Sequence, residues 1–134
     1  MTERIVIDAT NATLGRLASY AAKQSLLGKE VVIVNCKNAV ITGRKASVIE
    51  DYKEKRARGG ASLRGPIFPK SPERIIKRTI RGMLSYTQQR GLSALKRVTC
   101  YNDVPAEFES VKKILAGKEK KTKITTLSEL SSEM

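Results

Sequence analysis

"RIVIDATNATLGRLASYAAKQSLLGKEVVIVNC" (residues 4–36) decides the fold class of this chain. RIVID (4–8) is a short β-rich run, and the ATNAT that follows it is a turn. The next segment repeats small and apolar side chains at helical spacing, and Gly28 is a suitable C-terminal stop. EVVIVNC (30–36) is continuously apolar, which is typical of a parallel strand covered on both faces. Strand, helix and strand over about 30 residues predict a right-handed βαβ unit and hence an α/β fold.

Later runs predict the remaining elements. NAVITG (38–43) is a candidate third strand, and RVTCY (97–101) is a last strand. SPERIIKRTIRGML predicts a helix, because Ser71 is a good N-cap and Pro72 a good first helical residue. PAEFESVKKIL (105–115) predicts another helix.

The length of 134 residues predicts one domain. We expect it to occupy residues 1–116, with an extended basic loop at 57–70 and a C-terminal tail at 117–134. No apolar run approaches the roughly 18 residues that a bilayer-spanning helix needs, and the N-terminal apolar stretch is too short for a secretory signal. These features predict an intracellular protein.

Positive charge is the strongest feature of the composition. The chain has 26 basic and 13 acidic residues, a net charge of +13. Residues 61–100 alone carry nine basic side chains and one acidic side chain. Because the excess is regional, it favours a polyanionic partner over a general aid to solubility.

Several kinds of enzyme site are absent from the sequence. The chain has no histidine, which excludes imidazole bases, His-dependent triads and the usual zinc sites. No complete phosphate-loop motif occurs, and we predict no cofactor and no small-molecule substrate. Cys36 and Cys100 each close an apolar run, which predicts small buried hydrophobes. Asp8 stands where α/β enzymes often place a catalytic carboxylate, although fixing the turn is the favoured role.

"RARGGASLRGPIFPKSP" (56–72) carries four basic residues, three Gly, three Pro and no acidic residue. Glycine permits close approach to a surface, and proline lowers the entropy lost on docking. Such a segment cannot bury enough surface to order itself. We therefore interpret it as a phosphate-binding loop, with a mobile linker as the alternative.

Two further clusters predict anion binding. The helix after Ser71 carries cations on the stripe opposite its apolar side, where like charges one turn apart repel unless phosphates neutralise them. The run ITGRK (41–45) places two cations in the first turn of a predicted helix, where an external anion would relieve the unfavourable dipole interaction. Simple solvent exposure is the alternative reading of this second cluster.

Structured RNA is the polyanion that fits best. Aromatic residues are scarce and not interleaved with basic ones, which disfavours single-strand stacking modules. No recognition helix for base edges is evident, and no cationic helix exposes bulky aromatics toward a membrane. We predict recognition of phosphate backbone and shape with little base readout. The predicted RNA-binding residues are Arg44, Lys45, Arg56, Arg58, Arg64, Lys70, Arg74, Lys77, Arg78, Arg81, Arg90, Lys96 and Arg97.

Four runs along the chain carry a family resemblance. IVIDATNATLGRLAS, VVIVNCKNAVITGRK, RGPIFPKSPERIIKRTIRGML and ALKRVTCYNDVP together resemble the universal large-subunit ribosomal proteins of the L-thirteen family. RGPIFPKSPE points to the archaeal and eukaryotic branch. The match runs in order from about residue 4 to residue 108. The chain departs from the family in Ser85, where Pro often follows GML, and in Arg44, where Asn is common.

The resemblance implies a three-layer α/β/α domain with a four-stranded parallel sheet. It implies a structural constituent of the large ribosomal subunit that contacts rRNA and neighbouring ribosomal proteins, supports assembly and translation in the cytoplasm, and has no enzymatic activity. Two alternatives stay open: an RNA-binding regulator acting on an mRNA site, which could be an added role, and an α/β enzyme using Asp8.

Overall fold

The computed structural model describes residues 3–58, 70–111, 113–115 and 124–133. The strands are β1 (Arg4–Asp8), β2 (Glu30–Val34), β3 (Val40–Thr42), β4 (Val98–Cys100), β5 (Ile114–Leu115) and β6 (Ile124–Thr126). The helices are α1 (Leu14–Leu26), α2 (Lys45–Arg58), α3 (Pro72–Met83), α4 (Gln89–Lys96) and α5 (Leu127–Glu133). Short 3-10 turns span Cys36–Asn38 and Ala106–Phe108.

The predicted βαβ unit is confirmed. β1 and β2 pair in parallel, with Ile7 opposite Ile33, and α1 connects them. The small apolar residues of α1 form its buried side, so the helix lies close to the sheet. Gly28 follows the helix in a left-handed conformation (φ 94°), which a glycine adopts without steric cost.

The parallel sheet has the order β4–β2–β1–β5. β5 contributes only two residues, which pair with Ile7 and Asp8 at the end of β1. The predicted third strand at 38–43 does not join this sheet. Asn35 takes a left-handed conformation (φ 58°) and the turn after it leads the chain out of the sheet. β3 instead pairs antiparallel with β6.

The helix predicted at 105–115 is wrong. The described residues of this segment, 105–111 and 113–115, form a 3-10 turn followed by β5. Phe108 is buried against Val6, Val32 and Val34 of the sheet, and it lies beside the ring of Tyr101. Packing of this one aromatic residue therefore overrides the helical spacing, because tertiary burial outweighs a weak local preference.

The two faces of the sheet are covered differently. α1, α3, α4 and α5 contribute to the main hydrophobic core, which includes Ile7, Ile33 and Ile76. On the other face, the residues described by the structure cover the sheet with the segment around Phe108. The mixed α/β single domain is thus confirmed, whereas a third, helical layer is not.

Residues 124–133, the described part of the predicted C-terminal tail, pack into the domain. Leu127 and Leu130 are fully buried in the main core, and Thr125 is buried beside them. The backbone N–H of Leu127 donates to the carbonyl of Ala39 at 2.9 Å. Long-range burial therefore holds these residues against the core.

Candidate nucleic-acid interface

Helix α3 separates an apolar side from a cationic side. Pro72 begins the helix after Ser71, and Ile75, Ile76 and Ile80 are buried in the core. Arg74 and Arg81 are exposed and lie seven residues apart, which brings them to the same side of the helix after nearly two turns. Arg78 lies one turn after Arg74 on that side and is half-buried.

Lys77 is a predicted RNA-binding residue on α3, but its amine is bound within the domain. Its side chain is half-buried, and its amine donates hydrogen bonds to the carbonyl oxygens of Leu95 (2.7 Å) and Val98. Burial lowers the pKa of Lys77, and the nearby Cys100 opposes that shift only in part. The amine of Lys77 is therefore bound to backbone carbonyls where α4 meets β4.

The α4 region contributes two exposed cations and one that is tied to the domain. Arg90 and Lys96 are exposed. Arg97 is half-buried, and its guanidinium donates to the carbonyl of Ser25 at 2.9 Å, near the C-terminal end of α1. The same carbonyl also accepts the backbone N–H of Gly28 at 3.1 Å, so Arg97 adds a second donor there and ties the start of β4 to the end of α1.

The remaining predicted residues precede α3. Lys70 is exposed just before the helix, and Arg44 is exposed before α2, where its carbonyl accepts the N–H of Val48 at 3.0 Å. The amine of Lys45 lies 3.9 Å from the carboxylate of Glu129 in α5. Arg64 and the loop at 59–69 lie outside the described residues, as do the side chains of Arg56 and Arg58.

Five of these predicted residues form a group that we call the α3–α4 cations. All five are exposed, and four of them lie between residues 74 and 102, a stretch that contains no acidic side chain, whereas Lys70 precedes Glu73. Within the described part of the chain, the ion pairs join other residues, although Lys96 lines a hollow together with Glu30 and Glu107. The α3–α4 cations are Lys70, Arg74, Arg81, Arg90 and Lys96.

Asp8, the candidate catalytic carboxylate, is used to fix a turn. It accepts hydrogen bonds from the backbone N–H and hydroxyl of Thr10 (3.0 and 2.8 Å) and from the Asn35 amide (3.2 Å). Partial burial raises the pKa of Asp8, but these bonds and the nearby charge of Lys113 outweigh it and hold the pKa below its ordinary value. This environment fits the turn-fixing role.

The thiol of Cys36 is in an unreactive setting. Cys36 is fully buried and Cys100 is half-buried, and both are free. A hydrogen bond with Cys100 and burial raise the pKa of the Cys36 thiol. A raised thiol pKa disfavours the nucleophilic thiolate. In the described ranges, no cluster of three or more carboxylate or cysteine side chains could hold a metal ion.

Sequence reasoning passed over Tyr86. Its ring lies in the turn after α3, and the guanidinium of Arg81 sits over it, 5.0 Å from the ring centroid. Met83, the last residue of α3, is also exposed. Both residues lie at or just beyond the end of α3, and this position is the signal in the sequence that could have drawn attention to them.

Fold and charge define a class of protein: a basic α/β domain with a group of exposed cations on and around α3 and α4. None of the helices in the described ranges has the length and apolarity needed to cross a membrane. Residues 2–107 match the model of the family described as Ribosomal protein L13, and the chain belongs to this family.

Several archaeal relatives share most of this chain. It is 48% identical over 132 residues to the large ribosomal subunit protein uL13 of Archaeoglobus fulgidus, covering 94% of this chain and 84% of the relative. Identity to the uL13 protein of Methanosarcina barkeri is 50% over 110 residues, covering 81% and 78% of the two chains. For Methanocaldococcus jannaschii it is 46% over 132 residues, covering 96% of both. The resemblance to the archaeal branch is confirmed, and membership of this ribosomal family means that the chain is not an enzyme.

Proposed function

We propose that this chain is a structural constituent of the large ribosomal subunit and binds rRNA through the α3–α4 cations. The relatives' names place them in the large subunit, and the family membership of this chain supports the same place in the cytoplasmic ribosome. The single observation that carries the RNA-binding surface is the exposed group of cations, four of which lie in a stretch of chain without acidic residues.

The mechanism is charge neutralisation. Each guanidinium or amine that meets a phosphate displaces condensed counterions, so binding weakens as salt rises. Arginine adds a planar fork that matches two phosphate oxygens. Because α3 buries its apolar side in the core, Arg74 and Arg81 are held on a fixed support, which lowers the entropy lost on binding.

The surroundings of the other predicted residues decide whether we propose them as RNA contacts. We include Arg78 on the same side of α3, and Arg44, Lys45 and the loop residues Arg56, Arg58 and Arg64 as further contacts. Lys77 and Arg97 are assigned to holding the domain together, since their donors already bind backbone carbonyls. Neighbouring ribosomal proteins are the expected protein partners.

A triple substitution tests the surface. Changing Arg74, Arg78 and Arg81 to Gln together removes three charges from one side of α3. We expect the isolated fold to persist and incorporation into large subunits, measured by sedimentation, to fall. The slope of log affinity for an rRNA transcript against log salt should decrease by roughly 2 to 3, since each phosphate contact contributes about 0.7 to 0.9.

A matched control makes this result specific. Lys23, Lys53 and Arg16 are exposed on α1 and α2, and their change to Gln removes the same charge elsewhere. If the control variant loses incorporation and slope as much as the α3 variant, the effect belongs to net charge. Normal incorporation of the α3 variant would reject the proposed surface.

We further propose the family's three-layer form with four parallel strands for the complete domain. The parallel pairing of β5 with Ile7 and Asp8 supports the fourth strand. Slow hydrogen exchange of the amides that join β5 to β1 would support this pairing, and exchange at the rate of an open chain would reject it.

A further inference from the structure

A hollow of about 240 Å³ lies beside the turn between α3 and α4, and Arg90 is the predicted RNA-binding residue among those that line it. Leu26 of α1 and Met83 and Leu84 at the end of α3 form an apolar wall. Ser85, Gln88 and Arg90 contribute polar groups from the turn and from α4.

The turn that shapes the hollow is fixed by backbone hydrogen bonds. The N–H of Tyr86 donates to Leu84 (2.9 Å) and the N–H of Gln88 donates to Ser85 (3.0 Å). Gly91 allows α4 to touch this turn, because a Cβ at this position would lie only 2.0 Å from the carbonyl oxygen of Ser85. The hollow is therefore preformed, and a ligand would not have to order it.

The lining combines apolar and polar chemistry. Leu26 is 38% exposed and Met83 is 45% exposed, so apolar surface faces the hollow and solvent. Among the residues that the structure describes, the side chains of Ser85 and Gln88 make no hydrogen bond, and Arg90 makes no ion pair. A nucleotide binds where apolar side chains contact the faces of its base, polar groups hydrogen-bond the edge of the base, and a cation lies near its phosphate.

The surrounding charge selects this occupant over an apolar peptide. The lining residues from the end of α3, the turn and α4 all belong to the acid-free stretch from residue 74 to residue 102. The guanidinium of Arg81 lies over the ring of Tyr86, which is in the same turn. A peptide would gain from the apolar wall but would leave these cations without anions. A nucleotide satisfies both features with one ligand.

We propose that this hollow binds one unstacked nucleobase of rRNA. The base lies against Met83 and Leu26, its edge meets Gln88 and Ser85, and Arg90 binds an adjacent phosphate. The inference rests on the proposed rRNA binding and deepens it, because it adds base readout to a surface for which the sequence predicts backbone contacts.

Site-specific photo-cross-linking tests the occupant in assembled large subunits. The photoreactive residue p-benzoyl-phenylalanine is placed at position Met83, and at position Val111 as a control, since Val111 is 41% exposed and does not line the hollow. The expected result is a cross-link from position 83 to a single rRNA nucleotide. A cross-link from position 83 to a ribosomal protein, or none above the control, would overturn the proposal.

Two substitutions at one residue test the base edge. Gln88→Ala removes the edge group and Gln88→Glu adds a repelling charge, and each should lower the yield of the position-83 cross-link, by roughly 10-fold for Gln88→Glu, as expected for loss of a bound base. An unchanged yield in both variants would overturn the base contact.

The failure of this inference is distinguishable from failure of the proposed function. Loss of incorporation in the α3 triple variant, together with a protein cross-link at position 83, removes the base site and keeps rRNA binding. Normal incorporation of that triple variant removes the α3 surface itself.

Discussion

Lys77 and Arg74 stand three residues apart on α3, and the structure gives them opposite tasks. The amine of Lys77 binds the carbonyls of Leu95 and Val98, whereas Arg74 is exposed. β4 is an edge strand of the parallel sheet, and the carbonyls of its two flanking residues, Arg97 and Tyr101, accept the backbone N–H groups of Val31 and Cys36. The carbonyl of Val98 therefore points away from the sheet, and Lys77 supplies its partner.

Lys77→Met keeps the length of the side chain and removes the donor. Hydrogen bonds from a charged group contribute about 1.5 to 3 kcal/mol each. Removing the ammonium also removes the cost of its burial, which the lowered pKa of Lys77 records. We therefore expect a net loss of about 2 kcal/mol in the free energy of unfolding, which corresponds to about 8 °C in Tm for a domain of this size.

Thermal unfolding and salt-dependent RNA binding, measured on the same proteins, check this expectation. Lys77→Met should lower Tm and leave the salt slope of binding to an rRNA transcript unchanged. Arg74→Gln should do the reverse, with stability within about 0.5 kcal/mol of the original and the slope reduced by about 0.7 to 0.9. The reasoning is refuted if Lys77→Met keeps its Tm and reduces the slope as Arg74→Gln does.

The remaining predictions concern the C-terminal segment and Asp8. Leu127→Ala and Leu130→Ala should each lower the free energy of unfolding by about 2 to 5 kcal/mol because both side chains are fully buried; urea unfolding measures this, and losses no larger than that of the exposed control Ser128→Ala would contradict the docked segment. Asp8→Asn should flatten the acid side of the stability profile. The folded pKa of Asp8 is depressed, so its contribution is present above the unfolded pKa of about 3.9 and is lost as pH falls through the folded pKa. Tm measured at a series of pH values checks this, and a profile parallel to that of the original protein would argue against it.

The elements that the sequence predicted correctly are those with strong local patterns. β1, α1 and β2 follow from a continuous apolar run, helical spacing and a glycine stop, all visible within residues 4–36. The apolar side of α3 follows in the same way at Ile75, Ile76 and Ile80. The spacing of apolar residues predicts such elements because it indicates which side of the helix or strand must be buried.

The errors occur where distant contacts decide. The segment 105–115 has helical spacing, but burial of Phe108 against the sheet prevents a helix. The strand predicted at 38–43 is confirmed, but its pairing with β6, from the far end of the chain, was not predicted. A pattern of neighbours carries no information about a partner more than 80 residues away.

For the candidate site, the sequence by itself determined the amount and region of positive charge, the absence of acids between residues 74 and 102, and the family. Only the tertiary structure decided how each cation is used. It turned Lys77 and Arg97 toward backbone carbonyls, left Arg74 and Arg81 exposed, and brought Leu26 of α1 beside the turn after α3. The physical reason is that charge is a property of the residue, whereas its partner is set by which elements pack together.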